Sequence, residues 1–177
     1  MSTQPGLQTC WPGFFCQSSP LSAGGMVRTM TEKMEIFNER LFLVDRETLF
    51  QTFADPALLE QWWGPHGFTN TITTFDFRPG GTWAITMTAS DGTDFHNVST
   101  FRDVTVPERV VFVHHEPMHV YTMDMEFIAE PNGTTLRWHM VFDATTDILQ
   151  LKKFIAAANE QNFDRLDMLL KEMAASA

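Results

Sequence analysis

The amino-acid sequence predicts an α+β domain over residues 33–177, in which a curved antiparallel sheet of six to seven strands surrounds a long C-terminal helix. Three features predict this class. Apolar and polar side chains alternate along most of the chain after residue 70, which is the period of a β-strand. Turn sequences such as Asp91-Gly92 separate the alternating runs. The last run has instead the three- and four-residue spacing of an amphipathic helix.

Two short helices are predicted directly after a first strand at residues 33–43. Residues 48–54 form the first helix, because the acidic Asp45 and Glu47 suit a helix N-terminus. Pro56 fits the first turn of the second helix, and Gly64-Pro65 ends that helix. The pair of helices is therefore expected to form a V between the first and second strands.

The remaining strands are predicted to follow one another as an antiparallel meander. Pro79-Gly80-Gly81 turns the chain into the strand that contains Trp83, and further strands follow at residues 94–104, 109–115, 120–129 and 134–142. The last two strands alternate cleanly, and their apolar faces are expected to point inward. These faces consist of Tyr121, Met123, Met125 and Phe127, and of Leu136, Trp138, Met140 and Phe142.

The last segment is predicted to be one long helix with a single apolar stripe. The stripe consists of Ile148, Leu151, Ile155, Ala158, Asn162, Leu166, Leu169 and Met173. A single helix cannot cover a strongly curved sheet everywhere. An apolar cavity is therefore expected between the helix and the sheet, where small ligands usually bind.

Composition and charge exclude several classes of partner. The 12 basic and 22 acidic side chains give a formal charge of −10, which repels both nucleic-acid phosphates and anionic lipid headgroups. No run approaches the roughly 18 apolar residues of a membrane span. Both cysteines, Cys10 and Cys16, precede the predicted domain, so a cytoplasmic location is expected. The 16 Phe, 5 Trp and 11 Met suit an adaptable interior or simply an aromatic core.

The first 30 residues form a separate segment. No charged residue occurs before Arg28, and prolines and glycines interrupt a stretch rich in Ser, Thr and Gln. A secretory signal would need a basic start followed by a continuous apolar run, and this segment has neither. We expect either a flexible extension or a start codon placed too early, with Met26 or Met30 as the true start.

Several short motifs occur in a fixed order along the predicted domain: Phe53-Ala54-Asp55-Pro56, Trp62-Trp63-Gly64-Pro65, Arg78-Pro79-Gly80-Gly81-Thr82-Trp83 and Val106-Pro107-Glu108-Arg109-Val110-Val111-Phe112. This set resembles the Hsp90-ATPase-activator-homologue group of the START/Bet v 1-like superfamily, also called SRPBCC proteins. The resemblance covers most of residues 33–175 and implies a helix-grip fold with a hydrophobic ligand cavity. The chain departs from the family pattern at Val98-Ser99-Thr100-Phe101 and at Asn162-Phe163. A ligand therefore cannot be transferred from any relative.

The candidate ligand-binding residues are the large apolar side chains expected on the inner faces, together with one amide. Each apolar candidate, taken alone, fits an ordinary core position better than a ligand contact. Asn162 interrupts the helix stripe, so its amide is expected to bond either a ligand or a water or backbone carbonyl. The complete candidate set is Trp83, Phe101, Phe112, Met123, Met125, Trp138, Met140, Phe154 and Asn162.

No catalytic or metal-ligating set can be assigned from the sequence. His114 and His115 are adjacent on a strand and point to opposite faces, so we expect one histidine at the cavity rim, one in solvent, no metal and no cofactor. The leading functional hypothesis is binding of a hydrophobic or amphipathic small molecule. Two alternative functions stay open: a cyclase/aromatase-like or hydrolase-like enzyme, and an Hsp90-type co-chaperone or stress-related interaction module. A homodimer is also an open alternative.

Overall fold

The computed structural model describes residues 32–116 and 119–176, so the expectations for residues 1–30 lie outside the described residues. Within these ranges the chain forms a seven-stranded sheet and three helices. The strands are β1 (Lys33–Phe42), β2 (Thr69–Phe75), β3 (Thr82–Thr88), β4 (Asp94–Thr105), β5 (Arg109–Glu116), β6 (Tyr121–Glu130) and β7 (Gly133–Asp143). The helices are α1 (Arg46–Ala54), α2 (Pro56–Trp62) and α3 (Thr146–Ser176).

The strand order in the sheet is β1-β7-β6-β5-β4-β3-β2, and every neighbouring pair is antiparallel. The chain therefore runs as a meander from β2 to β7, while β1 joins β7 at the far side. This topology and the two short helices after β1 confirm the predicted fold class. The predicted strands end within one or two residues of the observed ones.

Local side-chain contacts explain where the two short helices begin. Asp45 accepts a 2.8 Å hydrogen bond from the backbone N–H of Thr48, so α1 starts two residues earlier than the sequence indicated. Asp55 ends α1 and caps α2, because its carboxylate accepts from the N–H of Ala57 at 2.8 Å. Pro56 occupies the first turn of α2, as predicted.

The core lies between the concave face of the sheet and the three helices. Its centre is aromatic: Trp63 packs edge-on against Trp83, with ring centroids 5.0 Å apart, and tilted against Trp138 at 5.4 Å. Trp138 also packs against Phe163 of α3 at 4.8 Å. The contact between α2, the sheet and α3 is thus made by large rings, which bury much apolar area per residue.

The two halves of α3 are buried to different extents. In the second half Asn162, Phe163 and Leu166 are buried, whereas Leu151 and Ile155 in the first half stay half-buried although they lie on the same stripe. More stripe residues are therefore buried in the second half of the helix than in the first, where Ile148 is the buried one. No helix within the described residues is both long and apolar enough to cross a membrane.

Candidate functional site

Four of the candidate residues form one row across the inner face of the sheet. Phe101 pairs with Phe112, Phe112 with Met123, and Met123 with Met140. Directly paired residues of antiparallel strands point to the same face, so these side chains are neighbours. All four are buried.

A second row lies beside the first and contains Met125 and Trp138, which are paired partners on β6 and β7. Both are buried, and Trp138 is only 1% exposed. The indole N–H of Trp138 and that of Trp83 are buried without any hydrogen-bond acceptor. Such groups are rare in folded proteins and call for an explanation, because an unsatisfied buried donor costs about 1–3 kcal/mol.

Phe154 does not have the inward position expected of a candidate residue, and its role as a ligand contact stays a prediction. Its side chain is 48% exposed and does not belong to the buried inner surface. The reason is helical geometry: successive residues of an α-helix are rotated by about 100°, and Phe154 precedes Ile155, which is the stripe residue.

Asn162 faces inward, but both ends of its amide bond the protein backbone. The side-chain oxygen accepts a 2.6 Å bond from the N–H of Gly64, and the nitrogen donates to the carbonyl of Ala158 at 2.9 Å. Of the two alternatives raised by the sequence, the structure shows the backbone one. Asn162 therefore anchors the loop after α2 to α3.

A third row on the inner face carries polar groups that the sequence analysis did not consider as a site. Trp83 pairs with Ser99, Ser99 with His114, and His114 with Tyr121. The Oγ of Ser99 lies 3.4 Å from Nδ1 of His114, and the His114 ring stacks on Tyr121 with centroids 4.7 Å apart. We call Ser99, His114 and Tyr121 the polar cluster.

The polar cluster is uncharged at neutral pH. Burial, with a smaller contribution from electrostatic repulsion by His115 and His119, lowers the pKa of His114 to about 4. Burial also raises the pKa of the Tyr121 phenol, so the hydroxyl keeps its proton. Ser99 and His114 are 4% and 6% exposed, and Tyr121 is half-buried.

Two polar atoms of the cluster, Nε2 of His114 and the hydroxyl of Tyr121, make no hydrogen bond to the described residues, and neither is one of the fully buried polar atoms that lack a partner. Each can donate or accept, depending on tautomer or rotation. No Asp, Glu, Lys or Arg is among the buried residues of the described chain. The cluster therefore lacks the carboxylate that orients histidine in a Ser-His-Asp arrangement, and its chemistry is that of neutral hydrogen bonding.

The sequence indicates the inward position of two members of the cluster, although it does not indicate their contact. His114 follows Phe112 by two residues, and Ser99 precedes Phe101 by two, so each shares the inward register of a predicted cavity residue. The prediction placed one of the adjacent histidines at the rim and one in solvent. In the structure His114 is buried, while the half-buried His115 bonds Thr100 on the other face of the sheet at 3.0 Å.

Two other features of the described residues do not form a ligand or metal site. A small depression of about 90 Å³ at the β1 edge is lined by Phe37, Asn38, Glu39 and Arg137, and it is too small for a drug-sized ligand. No group of three or more His, Cys, Asp or Glu side chains within residues 32–116 and 119–176 is arranged to hold a metal ion.

Solved structures share this fold. A protein from Chromobacterium violaceum is 18% identical, with a TM-score of 0.68 over 77% of this chain and 96% of that chain. One from Mycobacterium smegmatis is 24% identical, with a TM-score of 0.69 over 81% and 93%. One from Staphylococcus epidermidis is 16% identical, with a TM-score of 0.71 over 83% and 95%. At these identities the likeness concerns the fold.

The comparison with protein families is more specific. No match was found among the curated proteins. The family model described as "Activator of Hsp90 ATPase homolog 1-like protein" matches residues 44–171, which span α1, α2, the six strands from β2 to β7 and most of α3. The chain belongs to the Activator of Hsp90 ATPase homolog 1-like family.

Proposed function

We propose that this protein binds a small apolar or amphipathic molecule between the inner face of the sheet and the first half of α3. The observation that carries the proposal is the polar cluster. Its two unpartnered polar atoms lie on an inner face that is otherwise made of Trp, Phe and Met side chains. Ligand sites in proteins typically combine a mostly apolar wall with a few polar groups of this kind.

The uneven burial of α3 supports a location for this site. The polar cluster lies in the row that pairs, through Tyr121 and Phe142, with Met34 near the start of β1. This end of the sheet precedes the start of α3, where the stripe residues Leu151 and Ile155 stay half-buried. A molecule placed there would cover apolar surface on the helix and meet the polar cluster on the sheet.

Intrinsic tryptophan fluorescence and thermal unfolding test the proposal together. Trp83 lies in the same row as the polar cluster, so a bound molecule should alter its emission. We would titrate the protein with a panel of fatty acids, sterols, flavonoids and polyketide-like aromatics. The expected result is saturable binding by at least one class, with a rise in melting temperature that depends on ligand concentration.

An interior substitution distinguishes this site from binding elsewhere. Met123→Trp would add bulk to the central apolar row and should weaken the binding of any hit. The exposed Met168 offers a control, since Met168→Trp adds the same bulk on the outer side of α3. If no compound binds saturably, or if both variants bind every hit as tightly as the unmodified protein, the interior site is not the binding site.

A further inference from the structure

We propose that the molecule bound in this interior is an uncharged aromatic compound whose hydroxyl or carbonyl oxygen hydrogen-bonds the polar cluster of Ser99, His114 and Tyr121. This inference rests on the proposed function and specifies its ligand class. It depends on three observations: the shape of the polar row, the absence of buried charge in the described chain, and the aromatic character of the surrounding wall.

The geometry of the row presents several hydrogen-bonding groups along one line. Ser99, His114 and Tyr121 lie on three consecutive neighbouring strands, which are about 4.8 Å apart in a sheet. Nε2 of His114 and the Tyr121 hydroxyl lack protein partners among the described residues, and the indole N–H of Trp83 in the same row lacks an acceptor. Oxygen atoms that accept, or both accept and donate, match this set of groups.

The charge distribution argues against an ionised ligand. The two arginines that make contacts at α3 are already committed: Arg40 pairs with Glu160 and Asp164 at 2.8 and 2.7 Å, and Arg165 donates to backbone carbonyls. A carboxylate or ammonium group entering the interior would find no opposite charge among the buried side chains of the described residues. Burying such a group without a partner is strongly unfavourable.

The wall favours flat aromatic molecules. Trp83, Phe101 and Phe112 lie beside the cluster, with Trp83 and Phe112 edge-to-face at 5.3 Å. The His114 and Tyr121 rings are themselves stacked, which leaves an aromatic surface directly next to the polar atoms. Ring-on-ring contacts add about 0.5–1.5 kcal/mol to the apolar burial.

Four β-substituted naphthalene probes test the inference by calorimetric titration at neutral pH. Naphthol and naphthalene differ by one hydroxyl, and naphthamide and naphthoate differ by charge at nearly the same shape. A neutral hydrogen bond contributes about 0.5–1.5 kcal/mol, so naphthol should bind about three- to tenfold more tightly than naphthalene. Naphthoate should bind at least about 100-fold more weakly than naphthamide, because its charge must be removed or buried.

Two conservative variants connect these preferences to the cluster. Tyr121→Phe removes one hydroxyl and keeps the ring, and Ser99→Ala removes another. Each should lower the affinity for naphthol about three- to tenfold and leave the affinity for naphthalene unchanged. Thr100→Val is the matched control, because it removes a hydroxyl that bonds a histidine of the same two strands on the outer face.

The outcomes separate this inference from the proposed function. Three results would show that the interior binds ligands but that the assigned ligand class is wrong. Naphthalene would bind as tightly as naphthol, naphthoate would bind as tightly as naphthamide, or the variants would keep the full preference for naphthol. If none of the four probes binds, the inference is overturned, and the fluorescence screen decides independently whether the interior binds another class.

Discussion

The hydrogen bond between Asn162 and Gly64 allows a quantitative test of how α3 is fixed to the rest of the domain. Asn162→Leu approximately preserves side-chain volume and removes the acceptor of the buried Gly64 N–H. A buried donor left without a partner costs about 1–3 kcal/mol, and the added apolar burial of leucine offsets part of this. We therefore expect the free energy of unfolding to fall by about 2 kcal/mol.

The neighbouring residue provides a matched control. Gln161 also accepts a hydrogen bond from this loop, from the N–H of His66 at 3.1 Å, but this contact is exposed. In Gln161→Met the freed N–H can bond water, so the change should stay within about 0.5 kcal/mol. Urea unfolding followed by tryptophan fluorescence measures both variants, and the slope with denaturant should be unchanged.

With a typical slope of about 2 kcal/mol per molar urea, the Asn162→Leu midpoint should fall by about 1 M. Equal midpoints for the two variants would refute the assignment of Asn162 as the anchor of the loop. Asn162→Leu that kept its stability and lost ligand affinity would instead support the sequence-based hypothesis that this amide contacts the ligand.

Three further predictions concern stability. Trp138→Ala should cost about 3–5 kcal/mol in chemical denaturation, and a loss below about 1 kcal/mol contradicts its buried position. Arg165 donates to four backbone carbonyls around the end of α2, so Arg165→Met should lower the free energy of unfolding by about 2 kcal/mol. Arg165→Lys should retain less than half of this stabilisation. The folded state lowers the pKa of His114 to about 4, so the unfolded chain binds one more proton than the folded chain between about pH 6.5 and pH 4. As the pH decreases through this window, the free energy of unfolding should therefore fall by up to about 1.4 kcal/mol per pH unit. His114→Gln should flatten that slope, and an equal slope in both proteins would contradict the buried neutral state.

The sequence predicted the inner faces of β6 and β7 correctly because alternation is a local property of a strand. Tyr121, Met123 and Met125 follow one another at intervals of two, and no partner strand is needed to assign them to one face. The long helix could be predicted equally well, since its apolar spacing continues over many turns. Phe154, which precedes the stripe residue Ile155, lies outside the buried surface, as its position in the helix requires.

The polar cluster could not be predicted in the same way, because its members come from three strands. Their proximity depends on register, and the pairing of β4 with β5 shifts between Val98 and Ser99 and again between Phe101 and Asp103. Such irregularities move one strand by a residue relative to its partner. No local pattern in the sequence specifies them, so the contact between Ser99 and His114 became visible only in the structure.

The position of the cluster relative to α3 indicates why one end of the interior could accept a ligand while the other is rigid. Among the described residues, six side chains of α3 hydrogen-bond other parts of the domain: Asn159, Glu160, Gln161, Asn162, Asp164 and Arg165. Residues 159–165 of α3 are tied to β1 and to the loop after α2 by directional contacts, each of which a displacement would break. Before Ala156, whose carbonyl accepts from Asn38, α3 buries apolar side chains such as Ile148, and apolar contacts are non-directional and tolerate small shifts. Under the proposed function, we therefore expect a ligand to enter more readily beneath the N-terminal turns of α3 than beneath residues 159–165. A ligand there would meet the atoms of His114 and Tyr121 that make no hydrogen bond to the described residues.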